Sequence, residues 1–184
     1  ASFLEKAISI LDKDQNIGAV SSHCTIFTDN HKIIDYHRPK GGDISNFLFD
    51  NNSVSFALIR KDLWEKVGGY DEKMIHGFED WEFWIAMTKR GFEVYTIPEF
   101  LFHYRQKNKS MSKDSKMNFR ESNINYIYKK HSDLYSIHFS EVVDFLTELA
   151  QRNKRNEIKY KNSFEFKIGK VVLFPFKKLK RIFK

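Results

Sequence analysis

Cysteine is almost absent from this chain, since Cys24 is the single one among 184 residues. An internal disulfide is therefore excluded, and such cysteine usage is typical of a reducing compartment. The chain also lacks an internal repeat, a low-complexity segment and any run of 18 apolar residues that would span a bilayer. Hydrophobic residues nevertheless make up 41% of it and include 18 phenylalanines. These features predict a globular domain with an aromatic-rich core, in which Cys24 is a small buried residue of a strand.

Net positive charge is missing from most of the chain, although the formal total is +7. Residues 151–184 hold twelve Lys and Arg against two acids, a net charge of +10. The preceding 150 residues hold 19 bases against 22 acids, a net charge of −3. A nucleic-acid-binding protein usually spreads its bases over a folded face. We therefore expect no nucleic-acid partner.

The basic end of the chain has a helical pattern. After Pro175, apolar residues recur at Phe176, Leu179 and Ile182, with lysines and an arginine between them. A basic amphipathic helix of this kind can lie in the headgroup region of an anionic membrane. The pattern of residues 163–184 therefore predicts that the protein lies peripherally on the inner, cytoplasmic face of the plasma membrane. The alternative is that the apolar stripe packs on the domain or on an oligomer partner.

The most informative segment is residues 68–105. The acidic pair Glu79-Asp80 follows a two-glycine turn and opens a predicted helix, whose apolar face we expect to include Trp81. Acidic residues are favoured at a helix N-terminus, so the pair also fits an ordinary cap. Arg105 follows after a short strand. A carboxylate, aromatic surface and an arginine are the groups needed to take a proton from a hydroxyl and to hold an anionic leaving group.

The remaining elements follow from local periodicity and turn residues. We expect an α/β arrangement, with a short strand that ends at Pro98 and with the last two helices forming an α-hairpin. The predicted helices cover residues 2–13, 61–67, 116–130 and 133–152, and the predicted strands cover 17–28, 32–36, 51–60 and 92–97.

Several motifs in this order resemble one enzyme family. They are Gly68-Gly69-Tyr70-Asp71-Glu72, Glu79-Asp80-Trp81, Ile97-Pro98-Glu99, Tyr104-Arg105 and Ser110-Met111-Ser112. Together they resemble the second half of a family 2 glycosyltransferase with the GT-A fold. The resemblance implies the C-terminal part of a GT-A (Rossmann-like) α/β domain, with mixed strands and flanking helices, followed by a C-terminal helical extension. It also implies three parts: an acceptor-side part of the GT-A domain (1–112), a helical hairpin (113–162) and a basic amphipathic tail (163–184).

The resemblance also implies roles for the residues around the acidic pair. Family 2 enzymes are inverting, and their base is typically the Asp of this pair, so we expect Asp80 to be the catalytic base. Glu79 is expected to orient the acceptor or the helix beside it. Trp81 is expected to offer its ring as a sugar platform, with a place in the core as the alternative. His76, in the loop before the pair, is expected to contact substrate.

A second group of expected substrate contacts lies further along the chain. Arg105 is the candidate for the diphosphate of the donor, because its planar guanidinium matches phosphate oxygens. Many relatives carry a histidine two residues after this arginine, where this chain has Lys107, and His103 is the candidate to replace it. Ser110 and Ser112 are expected to take part in a flexible lid over the nucleotide, with a plain solvated loop as the alternative.

The metal of such enzymes is expected elsewhere. The family holds a divalent ion, Mg or Mn, on an Asp-x-Asp motif in the nucleotide-binding half, which we expect before residue 1. Asp12-Lys13-Asp14 spells this motif, but it lies at the end of a predicted helix and lacks the preceding strand that would aim it at a phosphate. Apart from His103, no residue is a candidate metal ligand. We therefore expect the chain to be a fragment that is inactive alone.

The expected function is that of an inverting glycosyltransferase part. It would supply acceptor binding and the base for sugar transfer from a nucleotide sugar (UDP or another NDP) to a cell-surface glycan or lipid-linked acceptor in a bacterium. An exposed sheet edge also favours a homodimer. Two alternatives remain open: a non-catalytic membrane-docking or assembly module of a polysaccharide-synthesis enzyme, and a sugar-binding module without chemistry.

Overall fold

The structure is a computed structural model that describes residues 2–107 and 115–182. The chain divides into two compact units, residues 1–136 and 137–184. The first unit is a mixed α/β domain, which confirms the predicted fold class. Its elements in chain order are α1 (Phe3–Lys13), β1 (Ile17–Phe27), β2 (Ile33–His37), α2 (Ile44–Phe47), β3 (Leu58–Ile59), α3 (Lys61–Val67), α4 (Glu79–Thr88), β4 (Glu93–Arg105), a π-helix (Ser115–Phe119), α5 (Arg120–Lys130) and α6 (Ser132–Ile137).

Strand β1 is the centre of the sheet, because each of the other three strands pairs with it. β4 runs parallel to β1 along its whole length, from the pair Ile17/Glu93 to the pair Phe27/Arg105. β2 and β3 are both antiparallel to β1 and share its other edge, β2 at the C-terminal end and β3 near the N-terminal end. The strands predicted at 17–28 and 32–36 are therefore confirmed, and they form an antiparallel hairpin. Cys24 is buried in β1 as a free thiol, as expected.

The two faces of the sheet carry different helices. α1 begins with a capping box between Ser2 and Glu5 and packs its apolar residues on the face that contains Val20 and Ile97. α4 lies on the opposite face, where Ala19 and Val94 join the larger core. This division follows from the alternation of side chains along a strand. It places the acidic pair on the side of the sheet away from α1.

Two strand predictions are wrong in their extent. The segment 51–60 was expected to be one strand, but only Leu58–Ile59 pairs with β1, and residues 51–57 form an irregular loop. β4 was expected to end at Pro98 but continues to Arg105. Between Ser22/Ile97 and His23/Phe100 the β1–β4 register shifts, so Pro98 and Glu99 are two extra residues of β4 without a partner on β1. The missing N–H of Pro98 therefore removes no ladder bond.

Helix α4 begins at Glu79, as predicted, but it is not amphipathic. Every residue from Trp81 to Thr88 is buried, including Glu82. One side faces the sheet, and other residues of the domain cover the opposite side, among them Ile127 of α5 and Leu134 of α6. The helix is therefore a central element, and a carboxylate at its first turn is held on a rigid support.

The second unit consists of the two long helices α7 (Phe139–Asn162) and α8 (Phe164–Ile182). α7 continues ten residues past the predicted end of its helix, and none of its residues is buried. Within this unit the ring of Tyr160 contacts that of Phe166, with centroids 5.1 Å apart. In residues 2–107 and 115–182 we find no helix that is both long and apolar enough to cross a membrane. The three-part division expected from the sequence stays a prediction.

Candidate active site

The acidic pair is presented by a tight turn that precedes α4. α3 ends at Gly68 with φ 90°, as the sequence predicts, and Gly69 follows with φ 71°. A side chain at Gly69 would place its Cβ 2.6 Å from the indole ring of Trp64, so the turn requires glycine there. Phe78 adopts a left-handed conformation at φ 70° immediately before Glu79 and provides no side-chain cap. The chain therefore enters the helix through a strained residue, and strain of this kind is often found at functional sites.

Asp80 lies half-buried in the first turn of α4, in contact with the loop that follows α2. Its Oδ1 accepts a hydrogen bond from the backbone N–H of Trp81 at 2.8 Å, and the side-chain amide of Asn51 donates another. Burial raises the pKa of this carboxyl above its ordinary value, and the charge of Glu79 adds to the rise. The two hydrogen bonds oppose it without cancelling it. A carboxylate with a raised pKa is a better proton acceptor than a fully solvated one.

Two further polar groups of the turn belong to this site. Glu79 is half-buried beside Asp80. Burial raises the pKa of the Tyr70 hydroxyl, and the charges of Asp80 and Glu79 raise it further, so the three groups lie within electrostatic reach of one another. Tyr70 also packs its ring on Phe83 of α4, with centroids 5.1 Å apart. Sequence reasoning used Tyr70 only as part of the turn motif and missed it as a site residue.

Trp81 does not have the surface expected of a sugar platform. Its side chain is 2% exposed, and its Nε1 donates to the backbone carbonyl of Phe47 at 2.7 Å. The ring packs against Phe78 and Tyr128 inside the larger core. Because no face of the indole is open to solvent, the platform prediction is corrected to the core alternative.

His76 lies on the surface with a different set of neighbours. Its ring stacks on Phe119 of the π-helix, with centroids 3.8 Å apart and planes 8° from parallel. Asn123 of α5 donates to the backbone carbonyls of His76 and Gly77. These hydrogen bonds connect the turn before the acidic pair to α5. The expected contact of His76 with substrate stays a prediction.

The candidate phosphate-binding residues lie at the C-terminal end of β4. Arg105 is exposed, and its Nε is 3.7 Å from Oδ1 of Asp29 in the β1–β2 turn. His103 is exposed and pairs across the ladder with Thr25. Among the contacts of residues 2–107 and 115–182, none brings Arg105 or His103 onto Asp80. Ser110 and Ser112 lie outside the residues that the structure describes.

A partly buried ionic network connects α4 and the acidic turn with α5. Glu82, 2% exposed, accepts from Lys130 at 2.7 Å and contacts His131 Nε2 at 2.8 Å. Lys130 also contacts Asp71 at 2.7 Å, and the hydroxyl of Tyr126 donates to the same carboxylate at 2.8 Å. The network ties α4 and the turn to α5. Sequence reasoning missed it, because its partners are 48 to 59 positions apart in the chain.

These contacts shift the pKa values of both carboxyls downward. Burial alone would raise the pKa of Glu82, but hydrogen bonds from His131 and Lys130 outweigh it. Burial likewise opposes the shift at Asp71, where bonds from Lys130, Tyr126 and the N–H of Lys73 lower the pKa to about 2. Both groups are therefore ionised at neutral pH. They hold the turn in place and leave Asp80 as the acid of this region whose proton affinity is raised.

Metal ligands do not come together in the part of the chain that the structure describes. No three His, Cys, Asp or Glu side chains there are arranged to hold an ion. The described residues therefore do not form a metal centre by themselves.

Comparison with known proteins identifies the family of the chain. A family model described as glycosyltransferase-like family 2 matches residues 26–162. An uncharacterized glycosyltransferase of Methanocaldococcus jannaschii is 27% identical over 110 residues, which cover 58% of this chain and 38% of that protein. The chain thus corresponds to well under two thirds of that relative's length. Since the family model spans most of the sequence, the chain belongs to the family 2 glycosyltransferases.

Proposed function

We propose that this chain supplies the acceptor site and the catalytic base of an inverting glycosyltransferase. The observation that carries the proposal is the placement of Asp80: it is half-buried, held by Asn51 and raised in pKa at the start of a rigid helix. The donor is a nucleotide sugar, UDP or another NDP. The acceptor is a glycan or a lipid-linked sugar of the bacterial cell envelope. The homodimer expected from the sequence remains part of the proposal.

The proposed reaction is a single displacement. The acceptor hydroxyl attacks the anomeric carbon while Asp80 takes the hydroxyl proton, and the bond from that carbon to the diphosphate oxygen breaks. The diphosphate leaves with the bonding electrons, and the configuration inverts. Burial and the neighbouring charge of Glu79 raise the proton affinity of Asp80, which favours proton transfer from a hydroxyl. The Tyr70 hydroxyl, within electrostatic reach of both carboxylates, is suited to orient the attacking group.

The leaving diphosphate needs positive charge. Arg105 is proposed to contact the diphosphate, and His103 lies near Arg105 on the same strand. To do so, Arg105 would have to leave its long contact with Asp29. Ser110 and Ser112 are proposed to close over the nucleotide. A divalent ion, Mg or Mn, would supply further charge on the diphosphate. Because the described residues do not form its site, no step here depends on it.

The base assignment is tested with Asp80→Asn in the full-length parent enzyme. We expect turnover to fall by about 100-fold or more, since general base catalysis contributes about 10²–10⁴-fold. Glu79→Gln is the matched control, one residue away in the same turn, and should lose much less. Thermal melts of both variants show whether the fold is kept. Turnover of Asp80→Asn within a few fold of the parent would leave only the helix-cap role and would favour the alternative of a non-catalytic assembly module.

A second proposal concerns the second unit. In α8, Ile168, Val171 and Leu173 are exposed, with Val171 at 74%, and lysines alternate with them. Exposed apolar side chains with basic residues between them are suited to the headgroup region of an anionic membrane. Each basic residue there contributes on the order of 1 kcal/mol to the binding free energy. We therefore propose that residues 163–184 hold the enzyme on the inner face of the plasma membrane.

Vesicle flotation tests this docking role. The full chain should float with vesicles of phosphatidylglycerol and far less with phosphatidylcholine, and high salt should weaken the binding. A chain lacking 163–184 should stay in the soluble fraction. Equal flotation of the two chains on the anionic vesicles would contradict the proposal.

A further inference from the structure

An aromatic–arginine cluster lies on the open part of the sheet. It consists of His23 of β1, Tyr36 of β2, Arg38 just after β2 and Phe100 of β4. The Phe100 ring is 5.3 Å from that of His23 and 5.2 Å from that of Tyr36, measured between centroids. The Arg38 guanidinium lies over two of these rings, 4.9 Å from the Phe100 centroid and 5.6 Å from that of Tyr36.

The cluster faces the same side of the sheet as the acidic pair. Ala19 of β1 packs in the core that contains α4, and Ser21 contacts Thr96 at 3.1 Å. Because side chains alternate along a strand, His23 points to this side as well. Thr25, two residues further, pairs with Tyr36 on one side and with His103 on the other. The exposed His103 therefore lies at the margin of the cluster.

A chain of contacts connects the cluster with Asp80. Asn51, which donates to Asp80, is followed by Asn52, whose carbonyl accepts from the N–H of Gly41 at 2.9 Å. The position of a Gly41 Cβ would be 2.8 Å from the Thr96 hydroxyl. Phe100 lies past the register shift of β4: its partner His23 is two residues from Ser21, whose hydroxyl contacts that of Thr96, so Phe100 is roughly 7 Å further along the sheet at the usual rise per residue. The cluster therefore lies past the point where the Asp80 loop meets the sheet.

Arg38 is the charged group of the cluster. Its Nη1 donates to the backbone carbonyl of Tyr36 at 3.3 Å. Within residues 2–107 and 117–173, no carboxylate lies within ion-pair distance of it, whereas Arg105 on the same sheet has Asp29. The side chain is exposed, as is the ring of Tyr36 at 48%. A planar cation backed by aromatic rings thus faces solvent beside the acceptor side of the domain.

We infer that this cluster binds an acidic sugar unit of the acceptor, a hexuronic acid. The inference rests on the proposed function and specifies the chemistry of its acceptor. The rings of Tyr36 and Phe100 suit the apolar face of a pyranose, and the guanidinium fork of Arg38 matches a planar carboxylate. One permanent cation is balanced by the single charge of a carboxylate. The loop of Asn51 and Asn52 and the residue Thr96 lie between the cluster and Asp80, so this unit is away from the reacting end and the acceptor is an oligosaccharide.

Binding to the chain itself tests the inference by NMR titration and calorimetry. The probe is a tetrasaccharide of alternating glucuronate and N-acetylglucosamine, and the matched probe is the same tetrasaccharide with its carboxyls reduced to alcohols. We expect the acidic probe to bind at least tenfold more tightly. Amide signals of Tyr36, Arg38 and Phe100 should shift on its addition.

Three variants make the test specific. Arg38→Gln should bring the two probes to equal affinity, and Arg38→Lys should fall between, because it keeps the charge but loses the fork and the stacking. Lys40→Gln removes an exposed base two positions away and should keep the preference. Equal affinity of the two probes for the unmodified chain, no binding of either, or equal behaviour of the Arg38→Gln and Lys40→Gln chains would overturn the inference. Asp80→Asn should bind the acidic probe normally, so a failed base assignment and a failed acceptor assignment give different results.

Discussion

The contact between Asn51 and Asp80 predicts how the pH profile of the enzyme responds to one substitution. In Asn51→Ala the carboxylate loses its side-chain donor but keeps the N–H of Trp81. A hydrogen bond to a charged group contributes about 1.5–3 kcal/mol, and we take the low end because Asp80 is half-buried and partly solvated. A change of about 1.4 kcal/mol is a factor of ten in an equilibrium.

The direction follows from which form the bond stabilises. The amide donor favours the ionised carboxylate, so its loss raises the pKa of Asp80 further above its ordinary value. On the acid limb of the profile, a lost hydrogen bond of about 1.5 kcal/mol should therefore make kcat/KM of Asn51→Ala about tenfold lower than that of the parent. Well above the pKa of the base the two enzymes should converge. A purely structural loss would lower the rate equally at every pH.

Asn52→Ala is the matched control. Its amide donates to the carbonyl of Asn46 at 2.5 Å, so the substitution loosens the same loop without removing a bond to Asp80. The assay is kcat/KM against pH in the full-length enzyme, with ¹³C NMR titration of the Asp80 carboxyl in this chain. An acid limb that does not move in Asn51→Ala, or that moves equally in Asn52→Ala, would refute the reasoning.

Three further predictions concern stability and are read by urea or thermal unfolding of the chain. Glu82→Gln should lower the unfolding free energy by about 3 kcal/mol, because it removes the buried carboxylate that contacts both Lys130 and the buried His131. The exposed Glu121→Gln should change the unfolding free energy by less than about 0.5 kcal/mol. The pKa of Asp71 is lowered to about 2, so its ionised form stabilises the fold above the pKa of the unfolded state, and this stabilisation is lost as the pH falls towards 2. Asp71→Asn should therefore weaken the fall of the unfolding free energy at acid pH, and an unchanged fall would contradict the assignment. Gly69→Ala should destabilise more than Gly68→Ala, since both positions have positive φ but only the first would also press a Cβ into an indole ring; equal losses would show that backbone conformation alone matters.

Local signals in the sequence were sufficient for the elements that flank the site. The glycine at position 68 and the acidic first turn of α4 mark boundaries that the structure keeps. Each of these signals acts within one or two turns of chain. The approximate position of a carboxylate at a helix start was therefore predictable.

Contacts between distant residues were not predictable in the same way. Asn51 reaches Asp80 from an irregular loop that was expected to be a strand, and Lys130 reaches Glu82 from 48 positions away. The burial of both sides of α4 depends on α5 and α6, which carry little periodic signal of their own. β4 passes Pro98 because a bulge absorbs it, and a bulge is set by the partner strand. These features arise from tertiary packing.

The central place of β1 has a consequence for how the domain folds. Its longest pairing, with β4, joins residues 76 positions apart at the pair Ile17/Glu93, and the intervening chain contains the whole segment that bears Asp80. Closing so large a loop gives the domain a high contact order and predicts slow folding compared with a helical bundle. The segment that bears Asp80 is thus the connection that has to be closed before β4 can pair with β1. Errors in its conformation should therefore slow or prevent assembly of the sheet.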